Sequence, residues 1–324
     1  MAYPDSLAAG FVLDSYRIEA PVAHSGMATI FRATDLRDKR TVALKIPHPD
    51  MEADPILFDR FRREAAIGER LCHAGVMRVI GNEQHSRAYI VMEWCEGRLL
   101  REILNEGDIA HERAIRIAIS ILDALEYIHA NGVVHRDLKP ENIMVGANDS
   151  IKIIDFGIAS DAASRRLTYT NFTPTLGTPD YISPELVEGK RGDGRSDIYA
   201  VGVMLYEMLT GKLPFSGPSP LAVMNDRLRN HPVPPRVADP TISPQLQEVL
   251  YRALERDPRN RYAKAHEFQH DLEHPDEVGV DDRTELRDWR RRKTRLPNQI
   301  LSYATLALIP IVLLLLMLYL ARRR

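Results

Sequence analysis

Over roughly its first ninety positions the chain carries apolar residues in short β-branched and aromatic runs, and beyond them at helical spacing. Two regions of different architecture follow from that change. Tyr16-Arg17-Ile18, Ile30 to Ala33, Thr41 to Ile46 and Ala88 to Met92 read as strands of an antiparallel sheet. One helix interrupts them around Ile56 to Cys72, where Phe61, Ala65, Gly68 and Leu71 or Cys72 recur among Arg and Glu. Past Leu99 the clearest helix runs from Glu112 to His129. Ile115, Ala118, Leu122, Leu125 and Ile128 mark one face, and Ile117, Ile121 and Ala124 widen it. A face that wide predicts a largely buried helix, and Asn131-Gly132 supply a left-handed stop. Two short strands follow, at Ile143 to Val145 and Ile151 to Ile154, then a Ser/Thr-rich loop from Ser160 to Thr178. Further helices are expected at Asp197 to Leu209 and at Pro244 to Leu254, after a break at Pro232, Pro234 and Pro235.

From Glu273 to Gln299 the pattern becomes polar, acidic first and basic later. Ile300 to Ala321 then contains no ionisable acid or base, and at helical rise the stretch is about 33 Å long, enough to cross a bilayer core. It reads as a single transmembrane helix followed by the basic tail 322–324. Pro310 is tolerable there as a local kink. The basic run Arg290, Arg291, Arg292, Lys293 and Arg295 before the apolar stretch points to lipid headgroups and to a cytoplasmic N-terminal side. No basic segment followed by an apolar run opens the chain, so no secretory leader is expected, and no sensor domain is expected beyond the anchor.

Composition narrows the function by exclusion. The 43 basic and 45 acidic side chains leave a formal net charge of -2, which gives no global footprint for nucleic acid. Cys72 and Cys95 have no metal-type spacing and cannot form a disulfide framework. The histidines are scattered without ligand spacing.

The chemistry lies in Val134-His135-Arg136-Asp137-Leu138-Lys139-Pro140-Glu141-Asn142, followed by Asp155-Phe156-Gly157 after an apolar strand. Transfer of a phosphoryl group from a nucleotide needs carboxylates that hold Mg²⁺ on the phosphates and another that orients the attacking hydroxyl. Two neighbouring strand ends would deliver both. Upstream, Lys45 stands in Val42-Ala43-Leu44-Lys45-Ile46 and Glu64 in the following helix. A buried lysine keeps its charge only beside a partner. Downstream come Gly177 to Glu185, Asp197 and Arg261.

In their order and spacing these segments resemble the eukaryotic-type (Hanks-type) protein kinases, in particular the bacterial serine/threonine branch. The resemblance covers about residues 16–272. It implies an α+β, two-lobed fold, with a small antiparallel-sheet lobe at 16–95 and a mainly helical lobe at 96–272. Residues 1–15 are then an extension and 273–299 a juxtamembrane linker. It implies that Asp137 is the catalytic base, that Lys139 reaches the transferring phosphate, and that Asn142 and Asp155 hold metal. Lys45 would steady the α and β phosphates of ATP and pair with Glu64, with Mg²⁺ or Mn²⁺ as the metal. Met92 would be the gatekeeper of the adenine pocket, with Ala43 beside it and the main chain of Glu93 and Cys95 pairing adenine. Glu185 and Arg261 would form a buried structural pair.

One motif departs from the family. The nucleotide loop should read G-x-G-x-x-G-x-V but runs Ala23-His24-Ser25-Gly26-Met27-Ala28-Thr29-Ile30. Small residues still let the backbone approach phosphate, and Gly26 can supply an unusual dihedral. Lys139 and Thr178 resemble the Ser/Thr type, which implies protein substrates bearing those hydroxyls. Arg136 would carry an uncompensated charge unless a phosphate pairs with it, and Thr168, Thr170, Thr173 and Thr175 are the candidate phosphosites. Autophosphorylation in trans would involve a homodimer. Two alternatives stand against this reading: a pseudokinase acting as a membrane scaffold, favoured by the altered loop, and a small-molecule kinase, disfavoured by the peptide-docking segment Gly177 to Glu185.

Overall fold

The computed structural model describes residues 8–24, 28–81, 86–156, 160–161 and 180–281. The expected membrane helix, the four candidate phosphosites and the loop residues Ser25, Gly26 and Met27 lie outside them. No helix among the described residues is long and apolar enough to cross a membrane. The chain divides into two units, 1–279 and 280–324, and the elements below belong to the first.

Five antiparallel strands form the first sheet in sequential order: β1 (Val12–Leu13), β2 (Tyr16–His24), β3 (Ala28–Asp35), β4 (Thr41–Pro47) and β5 (Ile90–Glu93). Period-two patterning is visible at the start of β2, where Tyr16 and Ile18 are buried and Arg17 is exposed. Strand β4 lies between β3 and β5 and is buried from Val42 to Pro47, which is why it reads as a nearly continuous apolar run. Lys45 is carried inside by that placement. Strand β1 and the buried Leu13 fall within residues expected to be an extension; a two-residue strand has no periodicity to read.

After the short helix α1 (Pro49–Ala53), α2 spans Pro55–Arg70. Its start is written locally: the Asp54 carboxylate accepts from the amides of Ile56 and Leu57, and Pro55 occupies the first turn. It ends two residues earlier than expected because Leu71 is already extended. Phe61, Glu64, Ile67 and Gly68 face inward at helical spacing. A Cβ on Gly68 would stand 2.2 Å from Val79, so only glycine lets the helix lie this close to the chain that follows.

That chain, Leu71 to Ile80, is stitched to both lobes. Met77 donates to the Ile153 carbonyl and the Ile153 amide to Gly75, while Ile80 donates to Val91 and Glu93 to Arg78. It is paired to the C-lobe at Val76 and to β5 at Val79.

The second lobe contains β6 (Arg98–Leu99), α3 (Leu100–Glu106), α4 (His111–Ala130), β7 (Val133–Val134), β8 (Ile143–Val145), β9 (Ile151–Ile153) and β10 (Ser160–Asp161). The helices α5 (Pro184–Val187), α6 (Gly194–Thr210), α7 (Pro220–Arg229), α8 (Pro235–Ala238), α9 (Pro244–Ala253) and α10 (Ala265–Glu273) complete it. Helix α4 stops as its sequence predicts, with Gly132 at φ 73°. Its apolar face packs on α6, whose residues from Ser196 to Leu209 are all buried. Gly202 allows α6 to approach α9, since a Cβ there would lie 2.9 Å from that of Ala253. Strands β6, β8 and β9 form a small sheet and β10 pairs with β7. Ser160 and Asp161, read from sequence as loop, are thus the start of a strand pair too short to announce itself.

Candidate active site

Three elements converge on one ammonium. Lys45 on β4 places its Nζ 2.6 and 2.8 Å from the two carboxylate oxygens of Glu64 on α2, and 3.2 Å from Oδ1 of Asp155 after β9. Lys45 and Glu64 are buried, whereas the Asp155 side chain is 48% exposed. Burial alone would lower the lysine, but the facing Glu64 and Asp155 outweigh it and hold it above its ordinary range. Glu64 is pushed up to about 7, chiefly by burial against the opposing pull of Lys45, with Asp155 adding repulsion.

The catalytic-loop residues hang from the beginning of α6. The Asp197 carboxylate accepts from the amides of His135 and Arg136 at 2.9 and 2.8 Å and contacts Nε2 of His129 at 2.8 Å. Burial would raise Asp197, yet the contact with His129 and the charges and amides around it keep it below the ordinary carboxylate range. Those bonds fix a turn in which Arg136 takes φ 63°. Lys139 lies 2.8 Å from the Asp137 carboxylate, and Asn142 donates its amide to the Asp137 carbonyl at 2.8 Å. The Ile154 amide donates to the Asn142 carbonyl, tying the loop to the strand that delivers Asp155. Asp155 is itself left-handed at φ 68°, an uncommon conformation for a residue with a Cβ. Behind it Phe156 is buried with its ring 5.3 Å from that of His135.

Ala43 and Met92 pair across β4 and β5, and both are buried. Glu93 accepts from the Arg78 amide at 2.8 Å and from Lys152 at 2.6 Å. The Cys95 thiol is pushed up to about 11, first by burial and then by Glu93, which makes it a poor nucleophile. At the loop, Ile30 pairs with Lys45 and Ala23 with Ile30. Ala28 is buried, and the Thr29 hydroxyl lies between ring nitrogens of His24 and His48, at 3.2 and 3.0 Å. A side-chain tie therefore closes the base of this glycine-poor hairpin. Arg136 has a long contact of 3.4 Å to the Gly192 carbonyl.

No cluster of three His, Cys, Asp or Glu side chains suited to a metal exists among the described residues. Asn142 and Asp155, the residues expected to hold metal, would supply two oxygen ligands, a set that suits Mg²⁺ completed by phosphate and water oxygens. Asn142 spends its amide N–H on Asp137, and Asp155 retains exposed carboxylate surface.

The family described as protein kinase domain matches residues 16–273. The chain belongs to the protein kinase family. A probable serine/threonine-protein kinase of Streptomyces coelicolor is 40% identical over 264 residues, covering 80% of this chain and 39% of that one. The serine/threonine-protein kinase PknB of Mycolicibacterium smegmatis is 40% identical over 265 residues, covering 80% and 42%. This chain therefore matches about two-fifths of the length of these relatives. The PknI kinase domain of Mycobacterium tuberculosis has the same fold, with a TM-score of 0.64 at 24% identity over 83% of this chain and all of that one.

Sequence reasoning missed the side chains that support the kinase site. Thr29 and His48 at the hairpin, His129 behind Asp197 and Lys152 behind Glu93 belong to no contiguous motif.

Proposed function

We propose that the protein transfers the γ-phosphate of ATP to serine or threonine hydroxyls of proteins. The observation that carries this is the Lys45 ammonium held between Glu64 and Asp155, charges from elements 19 and 110 residues away. Such a cation, kept protonated by its surroundings, suits the phosphates of a nucleotide. Asn142 and Asp155 would hold Mg²⁺, which neutralises phosphate charge. Asp137 would orient the substrate hydroxyl and accept its proton as the new O–P bond forms and the bond to the β-phosphate oxygen breaks, releasing ADP. Lys139 stands beside Asp137 to meet the transferring group. Main-chain groups of Glu93 and Cys95 would pair the adenine beneath Met92.

The serine/threonine preference rests on Lys139 and on the resemblance to the two bacterial kinases. Autophosphorylation at Thr168, Thr170, Thr173 or Thr175, with Arg136 receiving the phosphate, belongs to the same reading. So does anchoring through Ile300 to Ala321 with the catalytic unit in the cytoplasm, supported by the basic run that precedes the apolar stretch. Radiolabelled γ-phosphate transfer by the full chain to itself and to a general protein acceptor tests the activity. Incorporation on threonine or serine that Asp155→Asn removes is expected; equal incorporation by wild type and variant defeats the reading. For the anchor, the full chain should remain with membranes through carbonate extraction, and release into the supernatant would refute it.

A further inference from the structure

The first arm of the glycine-poor nucleotide loop is weakly held by the backbone. Strand β2 meets β1 at Tyr16 and Arg17, and the Ile18 amide donates to the Phe11 carbonyl. From Glu19 onward, among the described residues, β3 is the one strand beside it, and Ala20 to His24 are all exposed. The pairing with β3 also shifts register twice, between Ile18 and Ala20 and between Pro21 and Ala23. Pro21 in β2 and Pro47 at the end of β4 have no N–H to donate. An edge strand interrupted by two irregularities and a proline bends, so the ladder alone fixes the approach to Ser25 poorly.

Side chains complete the hold. His24 and Thr29 are the last pair between β2 and β3 before the loop, and Thr29 is paired in turn with Ile46 on β4. The second ring against its hydroxyl, that of His48, directly follows β4, where the chain is extended at the cap of α1. One fully buried hydroxyl thus ties the exposed end of β2, through β3, to the end of the buried strand that carries Lys45. A hydroxyl donates once and accepts twice, and a neutral imidazole donates from one nitrogen and accepts at the other. Thr29 can therefore accept from one ring and donate to the other, with all three side chains satisfied. The tie stands on the back of the sheet. Ile30 pairs with Lys45 and so shares its face, and successive side chains of a strand point to opposite faces, so Thr29 turns away from Lys45.

We propose that Thr29, bridging His24 and His48, is a positioning residue for ATP: it fixes where the arms of the nucleotide loop stand relative to Lys45 without touching the nucleotide. This rests on the protein kinase reading above. Loss of the hydroxyl releases the exposed end of β2 while Lys45, Glu64 and Asp155 keep their mutual contacts. The deficit therefore falls on holding ATP more than on the transfer step.

The test uses the full chain in detergent, titrated with a fluorescent methylanthraniloyl-ATP and Mg²⁺, together with steady-state phosphorylation of a threonine peptide. Thr29→Val keeps the branched shape and removes the hydroxyl; it should weaken nucleotide binding roughly five- to tenfold, the scale of one or two hydrogen bonds. It should also raise KM for ATP by more than it lowers kcat and leave KM for the peptide unchanged. Thr29→Ser, which restores the hydroxyl, should bring binding back to within about twofold of wild type. His48→Ala should match Thr29→Val, and the double variant should be no weaker than either, because the side chains act as one unit. Wild-type nucleotide affinity in a folded Thr29→Val overturns the proposal, and so does a Thr29→Ser as weak as Thr29→Val. Where Thr29→Val does not fold, wild-type affinity in His48→Ala overturns it. Binding is read without phosphoryl transfer, so a chain that binds ATP and fails to transfer it defeats the kinase reading alone, whereas a wild type that binds no nucleotide defeats both.

Discussion

Two buried glutamates, each facing a cation, are built to opposite ends. Glu185 on α5 receives both outer nitrogens of Arg261 at 2.9 and 2.7 Å and the hydroxyl of Ser196 at 2.7 Å. Arg261 spends its remaining donors on the carbonyls of Glu255, Arg195 and Arg256 and has a fully buried side chain. Every polar valence there is used inside the protein. Glu64, by contrast, faces a lysine whose second partner, Asp155, is half exposed. The contrast separates structure from function: a saturated pair can only hold the fold together, whereas a pair completed by an exposed carboxylate can exchange a contact for a ligand.

The sharpest way to break that contrast is to remove each cation. Lys45→Met should lower phosphoryl transfer by about a thousandfold or more while leaving the melting temperature near wild type, because Glu64 at about 7 readily takes a proton. Loss of folding would show the pair to be structural. Arg261→Met should do the reverse, destabilising by about 3–5 kcal/mol in urea unfolding, since it strands a carboxylate held below its ordinary range by Arg261 and Ser196. An unfolding midpoint equal to wild type would refute it.

A pH titration of stability sharpens the comparison further. Glu64 has its pKa raised from 4.5 to about 7, so between those values the folded state holds more protons and stability falls as pH rises. Glu185 is shifted below 4.5, so its contribution is present above that value and lost as pH falls through the folded pKa. Glu64→Gln should flatten the limb between 4.5 and 7 and Glu185→Gln the acid limb. Unchanged limbs in urea titrations of either variant contradict the assignment. The smallest effect expected is that of replacing Thr168, Thr170, Thr173 and Thr175 by alanine, a several-fold loss of turnover on an added substrate with ATP binding unchanged. Turnover equal to wild type removes loop phosphorylation from the account.

What the sequence made legible follows from where the determining forces lie. Lys45, Asp137, Asn142 and Asp155 stand in short contiguous motifs whose spacing survives any reading of the fold. The long helices α4 and α6 were visible because α4 repeats its apolar face and α6 is apolar along most of its length. The hydrogen bonds of Arg101 to Glu141, Tyr181 and Glu207 were not legible, because they span as many as 106 residues. Nor were β1, β7 and β10, two residues each, which exist only because another strand lies alongside.

The stitching of Leu71 to Ile80 holds one end of α2 more firmly than the other. The C-terminal end of the helix is pinned through Gly68 against Val79 and through hydrogen bonds of the following chain to Ile153, while its N-terminal end rests on the short α1 and, through Leu57 and Phe58, on the cluster around Met51 and Phe61. A swing of α2 would then turn about Gly68, its most tightly packed point. Glu64 rides one helical turn, about 6 Å, from that pivot, and Pro55 about 20 Å from it. A push at the outer end thus reaches the carboxylate geared down roughly threefold, so that a displacement of several ångströms at Asp54 moves Glu64 by about the difference between touching Lys45 and letting it go.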